Sequence, residues 1–304
     1  MLVISNCQSE YLAPFIELAL ADCACDYLPC HEVSTAEQHA GIERHLEESK
    51  ESYQLIIAIP LGSVWRSMSK DALISRFGRD RLFFIMNVYF SGTHPDLTMV
   101  GDIRSRLRTP MGDPHSRIAL GGWMAGLGED EILGLFNPAM VEKLGFLSQI
   151  EQATVELRTR EQDCDTKYTD ELVHLAKVAF SFYTNNHPTP NVLASYVNHI
   201  RYHLVVRRQA RSSDLPMNAM LATETLAKYG IWPVYPELKS VLAGNFPVST
   251  LFLLPDTHLG SDLISRETYV RHSIAVYEEA GREKVAGFRQ AQECHTLVAG
   301  ALAK

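Results

Sequence analysis

Three apolar runs in the first ninety residues constrain the fold more than any other feature. Leu2–Ser5, Gln54–Pro60 (QLIIAIP) and Arg81–Phe90 (RLFFIMNVYF) are continuous in hydrophobicity rather than alternating, the pattern of strands covered on both faces. Between them, Tyr11–Leu20 and Lys70–Phe77 read as helices, and residues 36–50 as an exposed amphipathic helix with Ile42 and Leu46 four apart. Strand, helix, strand, helix, strand implies right-handed crossovers and a parallel sheet. Ligands of such sheets bind outside the carboxyl ends of the strands. Those ends carry Asn6-Cys7-Gln8, Pro60-Leu61-Gly62 and Asn87-Val88-Tyr89.

Residues 91–128 are loop-rich, and helices are expected beyond them at about 129–136, 139–160, 169–178, 190–210 and 266–302. Phe180–Tyr183 and Thr250–Leu254 read as further short strands, while 214–262 gives little periodic signal. The fold class is therefore α/β, with a parallel-sheet core near the N-terminus and a large, mainly helical C-terminal part. Residues 1–190 form the α/β core and 191–304 a helical extension packed on it, an arrangement that also suits a single domain. Within 304 residues of net charge −8 there is no apolar run of about 18 and no basic leader before MLVISNCQSE. A cytoplasmic protein with no membrane span follows as the expectation. The acidic balance argues against nucleic acid as a partner, and a homo-oligomer stays open. Six cysteines in such a chain do not suggest a disulfide framework. Cys23, Cys25, Cys30 and His31 raise a metal reading, but their spacing matches no zinc half-site pair. They are read instead as small residues at a helix end and turn, with no metal.

Two short segments carry the chemistry. Cys7 follows a strand and precedes a helix, where free amides and the helix dipole would lower a thiol pKa and serve an oxyanion or a phosphate. Asn6 and Gln8 flank it with two side-chain amides; the plain alternative is a small apolar residue at a strand end. In Thr184-Asn185-Asn186-His187-Pro188-Thr189-Pro190, two prolines fix the backbone around His187, a candidate general base or simply part of a helix start. His94, His115 and His258 occupy similar polar stretches, with Asp113 and Asp256 two positions before the latter two. Gly121-Gly122 with Gly126 and Gly128 is too irregular for a dinucleotide fingerprint. Arg201, Arg207, Arg208 and Arg211, and separately Arg104, Arg106 and Arg108, are either phosphate anchors or solvated faces.

Taken together, these segments resemble a known family. The opening VISNCQSEYLAPFI resembles the N-terminal strand and GNCQ signature of the WcbI family of capsule-polysaccharide biosynthesis enzymes. LRTREQDCDTKYTDEL followed by FSFYTNNHPTPNVLASYV resembles that family's RE…D helix and NHP motif. The match spans roughly residues 1–205, including PHSRIALGGWMAGLGEDE, and departs at Ser5, where the family has Gly. The resemblance implies a coenzyme A-binding protein that uses acetyl-CoA to acetylate a sugar hydroxyl of a polysaccharide precursor. It points to Asn6, Cys7, Gln8 and His187 as catalytic residues. His115, Ser116, Arg117, Asn186, Arg201 and Arg207 are the candidates for holding the cofactor. His187 would deprotonate the acceptor, Asn6 and Gln8 would stabilise the oxyanion, and Cys7 would be either an acyl carrier or a neighbour of the cofactor thiol. The strand-turn-helix layout also suits an SGNH-like esterase or deacetylase, with Asp256 and His258 imitating its C-terminal pair but no serine at position 7. A non-catalytic coenzyme A-binding protein is the remaining alternative.

Overall fold

Continuous apolar strands need cover on both faces, and the computed structural model supplies it. It describes residues 1–102, 105–215, 217–218, 226–255 and 263–304. The strands β1 (Leu2–Ser5), β2 (Asp26–Pro29), β3 (Ile56–Ala58) and β4 (Leu82–Phe84) form one parallel sheet in the order β2-β1-β3-β4. Ile4 pairs with Leu28 on one side and Ala58 on the other, and Ala58 pairs with Phe84. Leu2, Val3, Ile4, Ile56, Ile57, Ala58, Leu82, Phe83 and Phe84 are all buried. At about 1.5–3 kcal/mol for each large side chain removed from water, these runs anchor the sheet.

Helix α1 (Ser9–Ala19) leads from β1 to β2, α2 (Ala36–Glu48) from β2 across to β3, and α3 (Lys70–Phe77) from β3 to β4. Thr35 and Gln38 close a capping box at the start of α2, and Ser69 caps α3. Because α1 and α3 leave in opposite directions across the sheet, the order reverses between β1 and β3. In a doubly wound sheet that reversal opens a crevice at the carboxyl ends.

β2 was not expected. Asp26 and Tyr27 are exposed and only Leu28 is buried, so this edge strand has no apolar run to betray it. The run 81–90 is regular strand only over Leu82–Phe84, although Ile85 N still donates to Ala58 O at 2.9 Å.

Beyond the sheet come β5 (Leu97–Met99), antiparallel to β6 (Pro114–Ser116), then α4 (Arg117–Met124), α5 (Glu129–Gly134), α6 (Pro138–Lys143), α7 (Gln149–Arg160) and α8 (Thr169–Val178). They are followed by β7 (Phe182–Thr184), β8 (His187–Pro188), α9 (Pro190–Val206), the hairpin β9 (Leu251–Leu253) and β10 (Leu263–Ser265), and α10 (Arg266–Ala280), α11 (Arg282–Ala286) and α12 (Arg289–Leu302). The helix expected over 139–160 is interrupted at Gly145, which takes a left-handed φ of 74°. The one expected over 266–302 breaks at Gly281, φ 84°.

The chain groups into two compact units, each drawn from three stretches of sequence. The first holds Met1–Tyr89, Val155–Leu172 and Pro188–Thr225; the second holds Phe90–Thr154, Val173–His187 and Leu226–Lys304. Each contains residues from both sides of position 190. In the first, α9 packs on α1. In the second, α4 lies against α12 so closely that a Cβ on Gly121 would stand 2.4 Å from Cys294 O. The fold is α/β, with the parallel sheet near the N-terminus and a mainly helical C-terminal part.

Candidate functional site

The carboxyl end of β1 is held by side-chain amides. Asn6 accepts from Gln8 N through Oδ1 (3.0 Å) and donates Nδ2 to Asn87 Oδ1 (2.9 Å), while its carbonyl accepts from Ser9 N and Ser9 Oγ. Gln8 is buried and donates Nε2 to Val88 O at 2.7 Å. The loop after β4 is therefore stitched to the loop after β1 on both sides of Cys7. Ser5, the departure from the family pattern, is buried and turns its hydroxyl to Asn6 Oδ1 at 3.4 Å.

The 87–89 segment has its own clamp. Arg160, at the end of α7, donates to Asn87 O (3.3 Å) and Tyr89 O (2.8 Å), and its guanidinium lies 5.2 Å from the Tyr89 ring centre. Its Nε is buried without a partner. Tyr196, from α9, donates to Met86 O at 2.8 Å. Sequence reasoning passed over Arg160, and named Asn87 only as part of the strand end Asn87-Val88-Tyr89. Arg160 stands in the RE pair of the matched segment, and that arginine was the available signal.

Cys7 is half-buried, and its pKa moves opposite to the expectation. Burial pushes the thiol up to about 11, against a lowering by its own backbone amide and a further raising by Glu10. The helix start is a weak acidifier here because two of its amides are already spent on Asn6. Cys30, in the turn Cys30–Glu32 that packs against β1, is likewise raised by burial to about 12, with Cys7 contributing.

In the second unit, His187 ends the turn after β7. Its ring is half-buried, 4.9 Å from the Tyr229 ring. Thr184 Oγ1 donates to Asn186 Oδ1 (2.9 Å), and Asn185 O accepts from Phe90 N (2.7 Å). His115 is fully buried, with its nitrogens at Tyr277 Oη (3.1 Å) and Leu107 O (2.9 Å), and burial lowers its pKa to about 4. Ser116 caps α4 through Ala119 N (3.0 Å), and Arg117 N donates to Asp96 O (2.7 Å). His94 is also fully buried, between Thr93 Oγ1 and Trp232 O.

On α9, Arg207 bonds Asp165 Oδ1 at 2.8 Å and lies over Phe83, while Arg201 reaches Leu215 O at 3.2 Å. Of the residues singled out from sequence, Asn6, Cys7 and Gln8 come together at one strand end. His115 and Ser116 are packed into the interior beside half-buried Arg117 at the start of α4, and Asn186 and His187 share the turn after β7. Asp256, His258 and Arg104 lie outside the described residues. No group of three or more His, Cys, Asp or Glu able to hold a metal occurs among the described residues, and no helix there is long and apolar enough to cross a membrane.

A doubly wound parallel sheet with a thiol held at its order reversal defines the chain as an α/β protein. The family model described as polysaccharide biosynthesis enzyme WcbI matches residues 1–209, and the chain belongs to that family. A solved structure of WcbI superposes with a TM-score of 0.74 over 99% of this chain and 98% of that one, at 17% identity. It is described as a native polysaccharide biosynthesis enzyme without a disulfide bond between coenzyme A and one of its cysteines. No curated protein sequence matches significantly.

Proposed function

We propose that this polysaccharide biosynthesis enzyme is a coenzyme A-dependent O-acetyltransferase acting on a sugar hydroxyl. The observation that carries the reading is Cys7, half-exposed at the strand-order reversal and fixed on both sides by Asn6–Asn87 and Gln8–Val88. A thiol cofactor suits such a place, as does the solved WcbI structure's association with coenzyme A and a cysteine. The donor set also fits an anionic group: the buried Arg160 Nε lacks a partner beside the 87–89 segment. Acetyl-CoA would supply an activated acyl thioester.

The chain's own residues then divide the work. With its pKa near 11, Cys7 is a neutral thiol at pH 7, a weak nucleophile suited to lie beside the cofactor thiol rather than to carry the acyl group. Asn6 and Gln8, committed to chain atoms, act as positioning residues for that turn. His187 takes the acceptor hydroxyl's proton, a role supported by its half-exposed ring and by the prolines after it.

The test is thermal melting with coenzyme A and acetyl-CoA, repeated on Cys7→Ala and His187→Ala. The reading expects a higher Tm with either cofactor and retained binding in His187→Ala with transfer lost. No stabilisation at saturating cofactor contradicts it. Hydrolysis of simple acetyl esters without cofactor favours an esterase instead.

A further inference from the structure

The loop that leaves β3 carries an arginine whose cost and position call for a ligand. Ile59 N donates to Ile4 O at 3.0 Å, so β3 runs beside β1 to its end, and Leu61 and Cys7 each lie three residues beyond the paired Ala58 and Ile4. The loop is pinned at its base by Lys70 N to Leu61 O (2.9 Å), and inside by Trp65 N to Gly62 O and Ser69 N to Arg66 O. Met68 is buried below it. Arg66 sits on this rigid loop at φ 50°, ψ −117°. That is the conformation of the first central residue of a type II′ turn, where glycine is the usual occupant. Holding an arginine there strains the backbone, and such strain concentrates at ligand sites.

What the arginine does with its side chain is the second observation. Arg66 is exposed, and its guanidinium has no hydrogen-bond or ion-pair partner among the described residues. The neighbouring cations are spent: Lys70 on Asp163, Arg76 on Glu43 and Glu47, and Arg79 on Asp165. The next residue, Ser67, is 8% exposed, and its hydroxyl is buried with no partner. A free fork of donors and an unused hydroxyl thus sit on one rigid loop, on the β3 side of the order reversal.

We propose that Arg66 binds a phosphate of coenzyme A at this site. The inference rests on the functional reading above and deepens it. Arg207, one of the sequence's several candidates for that duty, is held by Asp165. A guanidinium presents paired donors to a phosphate without deprotonating, and removing one such charged contact costs about tenfold to hundredfold in affinity.

Calorimetry with wild type, Arg66→Ala and Arg66→Lys tests it, using coenzyme A, dephospho-coenzyme A, pantetheine and inorganic pyrophosphate. Arg66→Ala should weaken coenzyme A by at least about tenfold and leave pantetheine, which has no phosphate, unchanged; Arg66→Lys should recover part of the loss. A loss kept with dephospho-coenzyme A assigns the contact to the pyrophosphate, and one abolished with it assigns the contact to the 3′-phosphate. Arg66→Gly should weaken coenzyme A equally while melting no lower than wild type, an outcome a structural arginine would not give. If Arg66→Ala binds coenzyme A like wild type, Arg66 is not the phosphate contact and the transferase reading stands. If wild type binds no coenzyme A, the transferase reading fails; pyrophosphate bound by wild type and lost in Arg66→Ala would then preserve the anion site for another phosphate-bearing ligand.

Discussion

The reactivity of Cys7 separates the two chemical roles a cysteine at this position can play. Burial carries its pKa from an ordinary value of 9.0 to about 11. At pH 7 the thiolate fraction then falls from about one in a hundred to about one in ten thousand, a hundredfold drop in the reactive form. Iodoacetamide labelling followed by peptide mass spectrometry reads each cysteine separately. Cys23, whose pKa is lowered chiefly by the hydrogen bond from Cys25, serves as the internal reference. The account expects Cys23 to label first. Cys7 should label slowly and speed up about tenfold per pH unit, with no plateau below about pH 10. The position of the plateau, unlike the absolute rate, does not depend on how easily the reagent reaches the thiol. A Cys7 profile that levels off near pH 7 would refute the reasoning and restore the covalent acyl carrier.

Three further outcomes test the packing. His94 and His115 are both lowered by burial to about 4 from 6.5. The unfolded chain therefore binds their protons first, and stability should fall as pH drops from about 6.5 to about 4, by up to about 3 kcal/mol for each histidine. Urea titrations across that window check this, and His94→Asn should halve the slope; a flat profile contradicts it. Gly121→Ala should cost about 2 kcal/mol or more, because its Cβ meets backbone of α12, whereas Gly41→Ala, which meets nothing within 4 Å, should be neutral or stabilising. Burial works to raise the Asp165 carboxyl, but bonds from Arg207, Arg79 and Phe84 N outweigh it and hold its pKa low. Its contribution is present above the unfolded value of about 3.9 and is lost as pH falls through the lower folded value. Asp165→Asn should therefore destabilise at pH 7, and by progressively less in denaturant titrations below about pH 4.

The sheet was legible because apolar continuity is a strong signal: three of its four strands coincide with runs in the chain. β2 escaped because it buries only one of its four residues, whereas β4 at the other edge buries all three. α4 escaped because Gly121 and Gly122 lower helix propensity, and only the close approach of α12 explains a glycine at 121. The turn around Cys7 was legible as a place but not as an environment. Helix-start amides suggested a lowered pKa, and nothing in the order of residues showed that Asn6 would consume two of them. The same limit applies to Ser116 and Arg207, whose types suit a phosphate but whose bonds cap a helix and fix a loop. Arg66 drew no notice in the sequence, since a positive φ is visible only in the fold.

The most direct test of the account is acetyl transfer itself. Purified enzyme incubated with radiolabelled acetyl-CoA and a panel of sugars and nucleotide sugars should release coenzyme A in step with label appearing, alkali-labile, on a carbohydrate hydroxyl. His187→Ala should abolish the transfer, and Cys7→Ala should leave a measurable fraction of it. Coenzyme A release with no labelled carbohydrate, or no release with any acceptor while polysaccharide precursors are consumed in some other way, would contradict it.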